Sequence, residues 1–280
     1  MTSTMLVTGP GLAVALVALT AVAAAAVTLG RLGHGRQIVV AAVRATLQLA
    51  AVSLLIVVIA GSAAATAGFV LLMWAVAAAT SGRRITGGRT WWAAVPIGAG
   101  SLPVVAALLA TGLLPPRGIA VVPVAGILIG GAMTATSLAG RRALDELTTR
   151  RGEVEAGLAL GLLPRDAVLL VCRPAAGQAL VPALDQTRTV GLVTLPGAFV
   201  GVLLGGADPL TAGVTQLFVL VGLLAVEAVA VVVTVELVAH GRVPAAWPAG
   251  ARRGPPGGAA PPPQAGAPGG GGWRGGATGV

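Results

Sequence analysis

The sequence predicts an all-α protein, a polytopic bundle of about seven transmembrane helices, and three observations carry that prediction. Hydrophobic residues fill 56% of the 280 positions and charged residues 10%, too little charge to cover a soluble surface. The apolar residues fall in runs of about 20, enough for a helix to cross a hydrocarbon core of about 30 Å. A helix suits that setting because it pairs its own backbone groups where no water is available. The basic residues, all 18 of them Arg, sit mainly in the segments between those runs.

Taken in order, spans are expected over 11–29, 38–60, 63–80, 91–113, 119–139, 189–206 and 212–239. Residues 11–29 read as a permanent first span, because the basic n-region and cleavage site of a secretory signal are missing. The third span is short and the sixth is rich in glycine. With the N-terminus outside, the segments 31–37, 81–90, 140–188 and 240–280 are cytoplasmic and hold sixteen of the eighteen arginines. Only Arg117 falls outside, and Arg44 lies within span two near its inner end. Positive charge kept on the cytoplasmic side therefore predicts an N-out, C-in chain in the plasma or inner cell membrane.

Residues 1–240 form the expected membrane domain, with 140–188 as a cytoplasmic region inside it. Arg141 and Asp145, Arg142 and Glu146, Glu146 and Arg150, and Arg151 and Glu155 are each four residues apart, a spacing that supports a helix. Span five is expected to continue into the cytoplasm as that charged helix. Gly161 and Pro164 then break it, and a second helical stretch runs towards Pro174. From Gly241 the chain is dominated by Gly and Pro, with Trp273 a stray aromatic, and 241–280 is expected to be disordered.

Several function classes fall away. The net charge of +9 is accounted for by arginines between spans rather than by a nucleic-acid partner. Cys172 is the single cysteine, so no intramolecular disulfide or thiolate cluster can form, and it reads as a packed helix residue. A phosphate-binding P-loop needs a lysine, and the chain has none. No cofactor site is expected in this chain, and any use of ATP must lie in a separate subunit. Clustered nucleophiles, acids or metal ligands of a membrane-embedded enzyme are missing too.

The informative motif is Glu155-Ala156-Gly157 followed by Gly161, with Pro164 after it. It resembles the E-A-A-x-x-x-G loop of ABC importer permeases, with Gly157 in place of the second Ala. A short helix of small residues can seat in a groove on an ATPase, and a glycine lets it end sharply. Over roughly residues 36–240 the chain also resembles the permease family of iron-export and aluminium-tolerance ABC systems. The carrying segments are Arg44-Ala45-Thr46-Leu47-Gln48-Leu49, Val122 to Gly126 with Gly130 and Ala132-Met133, and the long block Pro182 to Gly197. Gly201, Asp208-Pro209, Ala212 and Gln216 continue it. Two departures stand out: Gly131 replaces the family's Asn, and Pro174 and Gly177 replace an acidic and a basic residue. The resemblance implies an ABC ATPase subunit as partner, a permease homodimer in the lipid bilayer, and metal, specifically iron, export.

Polar residues inside a membrane are costly and point to a pathway. The candidate path residues are Arg44, Gln48, Met133, Asp185, Gln216 and Glu227. Glu227 sits mid-span, either as a cation or proton contact or as a protonated acid bonded to a neighbouring helix. The first of these makes an ion-coupled secondary transporter the alternative reading. Arg44 either snorkels to the interface or pairs with Asp185 or an anionic substrate. Thr134, Thr136 and Ser137 either line a path or pack helices. Iron favours His, Cys or carboxylate clusters, and His34 and His240 stand apart at loop edges, so the metal follows from resemblance alone.

Overall fold

The computed structural model describes residues 9–59, 61–88 and 91–243. The expected tail lies outside the described residues beyond Val243. Among the described residues ten α-helices follow one another: α1 Pro10–Leu29, α2 Gly35–Ile59, α3 Ala63–Thr86, α4 Ala94–Ala110, α5 Gly118–Thr149, α6 Arg151–Ala159, α7 Pro164–Gly177, α8 Val181–Thr189, α9 Gly197–Leu204 and α10 Pro209–Ala239. A 3-10 turn, Gln178–Leu180, joins α7 to α8. Among the described residues no strand forms. Local chemistry sets several ends. The Ser62 hydroxyl accepts the Ala65 amide and Gly87 closes α3 at φ 70°, while the Asp208 carboxylate accepts the Leu210 and Thr211 amides at 3.0 and 3.1 Å to open α10.

The core is built around α5, which packs against α3, α4, α7 and α10, and α10 in turn covers α4, α7 and α9. Small residues let these helices approach closely, as membrane packing requires. A Cβ placed on Gly100 of α4 would lie 2.6 Å from the Val226 carbonyl oxygen of α10, and one on Gly140 of α5 would lie 2.7 Å from Ile85 of α3. The Ser81 and Ser137 hydroxyls bond at 2.9 Å between α3 and α5, and Trp74 Nε1 donates to the Ala94 carbonyl at 3.1 Å. Ser137 thus serves helix packing, and Thr134 bonds back to the Gly130 carbonyl of its own helix. Cys172 is fully buried with its Sγ 3.5 Å from the Ala143 carbonyl, in keeping with a packed thiol.

The α1–α2 hairpin differs from this core. No residue of α1 is buried, and none is buried in the apolar window of either helix. Their many exposed Leu and Val residues suit contact with lipid chains. Among the described residues the hairpin meets the remainder of the fold mainly where α2 touches α3 and α5.

Among the described residues six helices have the length and composition to cross a membrane, and α4, with 17 residues, is a shorter apolar one. The spanning helices match the sequence expectation except at the fourth span, which falls on the shorter α4, and at the sixth. The expected span 189–206 holds only α9, whose eight residues reach about 12 Å. Pro196, Gly205 and Gly206 bound it, and Gly206 has φ 91°. The helix of spanning length is instead Pro164–Thr189, of 26 residues. It runs antiparallel to α10: Arg165 reaches Glu236 near the inner end, and Val190 lies with Gln216 and Leu220 towards the other. Pro174 sits inside α7 rather than ending it.

The expected cytoplasmic region 140–188 is therefore shorter at its C-terminal side, and Arg188 moves towards the outer side. The arginine bias still favours the same orientation. A second difference lies at Arg150. The charged continuation of span five is not one helix but two, α5 and α6, meeting at Arg150 with φ −109° and ψ 32°.

Candidate functional site

Two places gather the residues singled out in the sequence. The first is the corner between α6 and α7. Around Arg150 the break between α5 and α6 is braced by ion pairs to Glu146 at 3.7 Å and to Glu153, whose Oε1 accepts the Arg150 Nε at 2.7 Å. The hydrogen bond from Arg150 holds the Glu153 carboxyl below its ordinary value. A depressed acid keeps its contribution above that ordinary value and loses it as pH falls through the lowered one, so the brace is closed at neutral pH. One turn on, Arg151 Nε donates to Glu155 at 2.8 Å.

The C-terminus of α6 is a Schellman motif. The Leu162 amide donates to the Gly157 carbonyl and the Gly161 amide to the Leu158 carbonyl, both at 3.0 Å. Gly161 takes φ 89°, a left-handed conformation that other residues adopt only with strain. The accompanying apolar contact is Leu162 against Gly157, whose buried Cα face also meets Ala167 of α7. Pro164 then opens α7 at its first position, where its missing amide leaves nothing unpaired. The motif residues therefore have distinct duties. Gly157, Gly161 and Pro164 make the corner, while Glu155 and Ala156 stay exposed on its surface. Leu160 is 86% and Leu163 68% exposed beside them.

This corner is tied to the inner end of α10. Arg165 donates to both oxygens of Glu236, at 3.0 and 2.7 Å, and Arg173 and His240 lie 3.8 Å from the same carboxylate. Glu236 is a hub that the sequence reading did not single out; its partner at Arg165 is 71 residues away. Replacing Glu236 with Gln is expected to change the thermal midpoint little, because the ion pair is largely solvent-exposed. A large fall in the midpoint of the purified chain would refute it.

The second place is a cleft of about 840 Å³ between α2 and α3 with Met133 of α5 on its wall. Arg44 and Gln48 of α2 line it together with Arg36, Thr80 and Arg84. Three of the six candidate path residues are thus brought together. The other three are not. Asp185 pairs with Arg188 on its own helix at 3.7 Å rather than with Arg44. Gln216 is buried and its Oε1 accepts the Phe199 amide at 3.1 Å, satisfying the start of α9. Glu227 faces α5, where a Cβ on Gly131 would lie 2.9 Å from its Oε1. The acid thus occupies the space beside the position where the family pattern has Asn. Among the described residues no group of three His, Cys, Asp or Glu could hold a metal ion.

Long apolar helices around a small-residue core, with an arginine-lined cleft entering between them, define a multi-pass helical membrane protein. Residues 11–241 match the model of the family described as Uncharacterised protein family (UPF0014), and the chain belongs to that family. It is 37% identical over 157 residues to the UPF0014 membrane protein STAR2 of Oryza sativa subsp. japonica, covering 56% of this chain and 52% of that protein. It is 42% identical over 99 residues to the protein ALUMINUM SENSITIVE 3 of Arabidopsis thaliana, 35% of this chain and 36% of that one. To the probable iron export permease protein FetB of Escherichia coli (strain K12) it is 31% identical over 144 residues, 51% of this chain and 55% of that one. The chain spans about a third to a half of the length of these relatives. No solved structure matches it.

Proposed function

We propose that this chain is the membrane-spanning permease subunit of an ATP-driven ABC transporter, docked through its α6–α7 corner onto a separate ATPase subunit. The observation that carries the reading is the corner itself. A glycine-capped short helix holds Leu160 and Leu163 out in the open, beyond the charged end of α5 and next to exposed Glu155. Exposed leucines on the aqueous side of a membrane protein have no lipid to cover them, which suits a protein partner. ATP-driven movement of the partner would push the corner, and the Arg165–Glu236 pair would pass that push to α10.

The family supports metal export as the task, since one relative carries the name of a probable iron export permease. A permease homodimer follows from the same resemblance. The test is reconstitution with the ABC ATPase encoded in the genomic neighbourhood. A stable complex whose ATPase activity depends on residues 155–161 is expected, and a chain that purifies without the ATPase and transports without ATP would refute the reading.

One observation favours a second reading, an ion-coupled secondary transporter. Glu227 lies in the apolar α10 and makes no hydrogen bond or ion pair to any of the described residues. Under the ABC reading, Glu227→Gln transports at about the wild-type rate whenever ATP is supplied, and dissipating the proton gradient changes nothing. Loss of transport both on Glu227→Gln and on adding a protonophore would establish the second reading instead.

A further inference from the structure

We infer that the cleft between α2 and α3 binds a multivalent oxyanion, a phosphate or polycarboxylate group, drawn from the cytoplasmic side. This deepens the permease reading by naming the class of ligand, and rests on it.

The argument begins with charge. The first carboxylate in the sequence is Asp145, whereas nine of the eighteen arginines precede it. Arg36, Arg44 and Arg84 converge on one cavity from two helices. None of the three forms an ion pair with a carboxylate among the described residues; the acids that pair do so with Arg150, Arg151, Arg165, Arg173 and Arg188 or with His240. Three guanidinium groups that share a cavity repel one another, and a cavity beside apolar walls strengthens that repulsion. An anion removes it, and guanidinium forks match the oxygens of phosphate and carboxylate two at a time.

Depth distinguishes the cleft from an interfacial row of basic residues. Arg36 stands at the start of α2, Arg44 lies about 12 Å further along the helix and Gln48 another turn beyond. Snorkelling explains Arg36 and Arg84, each in an end turn of its helix, but not Arg44, which lies about two turns deeper in α2 and shares the cavity with them and with Gln48 and Thr80. The space of about 840 Å³ holds a ligand of metabolite size. A bare divalent cation is repelled by this lining, so a metal would enter only inside a negatively charged complex.

The oxyanion can belong to a soluble solute or to a lipid headgroup, and one experiment separates them. The full chain is placed in nanodiscs of phosphatidylcholine, without any ATPase, and titrated calorimetrically with pyrophosphate, citrate and magnesium. A second preparation contains phosphatidylglycerol, and bound lipid is counted by native mass spectrometry. Pyrophosphate or citrate is expected to bind in neutral discs, magnesium alone is not, and affinity should weaken as salt is raised. Arg44→Gln and Arg84→Gln should each weaken binding by about tenfold or more. Arg44→Lys should recover part of it, and Arg117→Gln in the outer loop should bind as wild type.

If soluble anions do not bind but phosphatidylglycerol is retained by wild type and lost from both Gln variants, the headgroup is the oxyanion and the inference stands. Absence of both kinds of binding, or binding indifferent to Arg44 and Arg84, overturns it. Size-exclusion profiles establish that the variants are folded. The ATPase is absent throughout, so failure here is distinct from failure of ABC coupling.

Discussion

On the proposed docking, Leu160→Asp is expected to release the ATPase subunit while leaving the chain folded in the membrane. Leu160 is 86% exposed at the tip of the α6–α7 corner and contributes nothing to the core. A charge there cannot be seated in an apolar groove without desolvation, and losing a central anchor of this kind weakens an interface by about 30-fold or more. Gly161→Val attacks the same corner from within. At φ 89° a β-branched residue is strained, by about 1–3 kcal/mol, so the Schellman turn opens and Leu160 and Leu163 lose their fixed placement. The two variants fail for different reasons, one chemical and one conformational, yet both should abolish co-purification with the ATPase. Wild-type recovery of the ATPase with both would remove the corner as the docking element.

The second large effect concerns a single methyl group. Gly100→Ala places its Cβ 2.6 Å from a backbone carbonyl of α10, at Val226. A side chain could rotate away from such a contact, but a helix backbone cannot. Relief therefore requires α4 to move off α10, opening a core in which Ile97 and Val226 are fully buried. Overpacking of this kind costs about 1–3 kcal/mol, and a backbone clash belongs at the upper end. Gly68→Ala in α3, where nothing lies within 4 Å of the new carbon, is the matched control and should melt at or above the wild-type temperature. Equal melting of the two variants in the same detergent would contradict the α4–α10 packing.

How far the sequence spoke depended on whether a feature was local. Long apolar runs and the arginine bias gave the membrane class and the helices of spans one to three, five and seven, because hydropathy and charge act residue by residue. The E-A-G-x-x-x-G spacing was legible for the same reason: a glycine five residues after the exposed Ala156 sits at the capping position of α6. The sixth crossing was not legible. Between Asp166 and Asp185 the chain carries one charge, Arg173, but Pro174, Gly177 and Pro182 resemble a loop, while 189–206 is apolar and resembles a span.

The tertiary features were equally hidden. Arg44 and Gln48 are neighbours on one helix and could be paired by counting, but Arg84 joins them only through the packing of α2 beside α3. Nothing in the spacing couples Arg165 to Glu236, 71 positions apart. Among 42 glycines, the one that meets a carbonyl cannot be told from the one that meets nothing.

The 32 residues of α5 have a mechanical consequence. At 1.5 Å per residue the helix is about 48 Å long, so about 18 Å projects beyond a hydrocarbon core of about 30 Å. It is a lever with unequal arms, and α6 hangs from the shorter one. The short arm is itself gripped, by α3 at Gly140 and by α7 at Ala143, so a force arriving through α6 enters the bundle at its inner end.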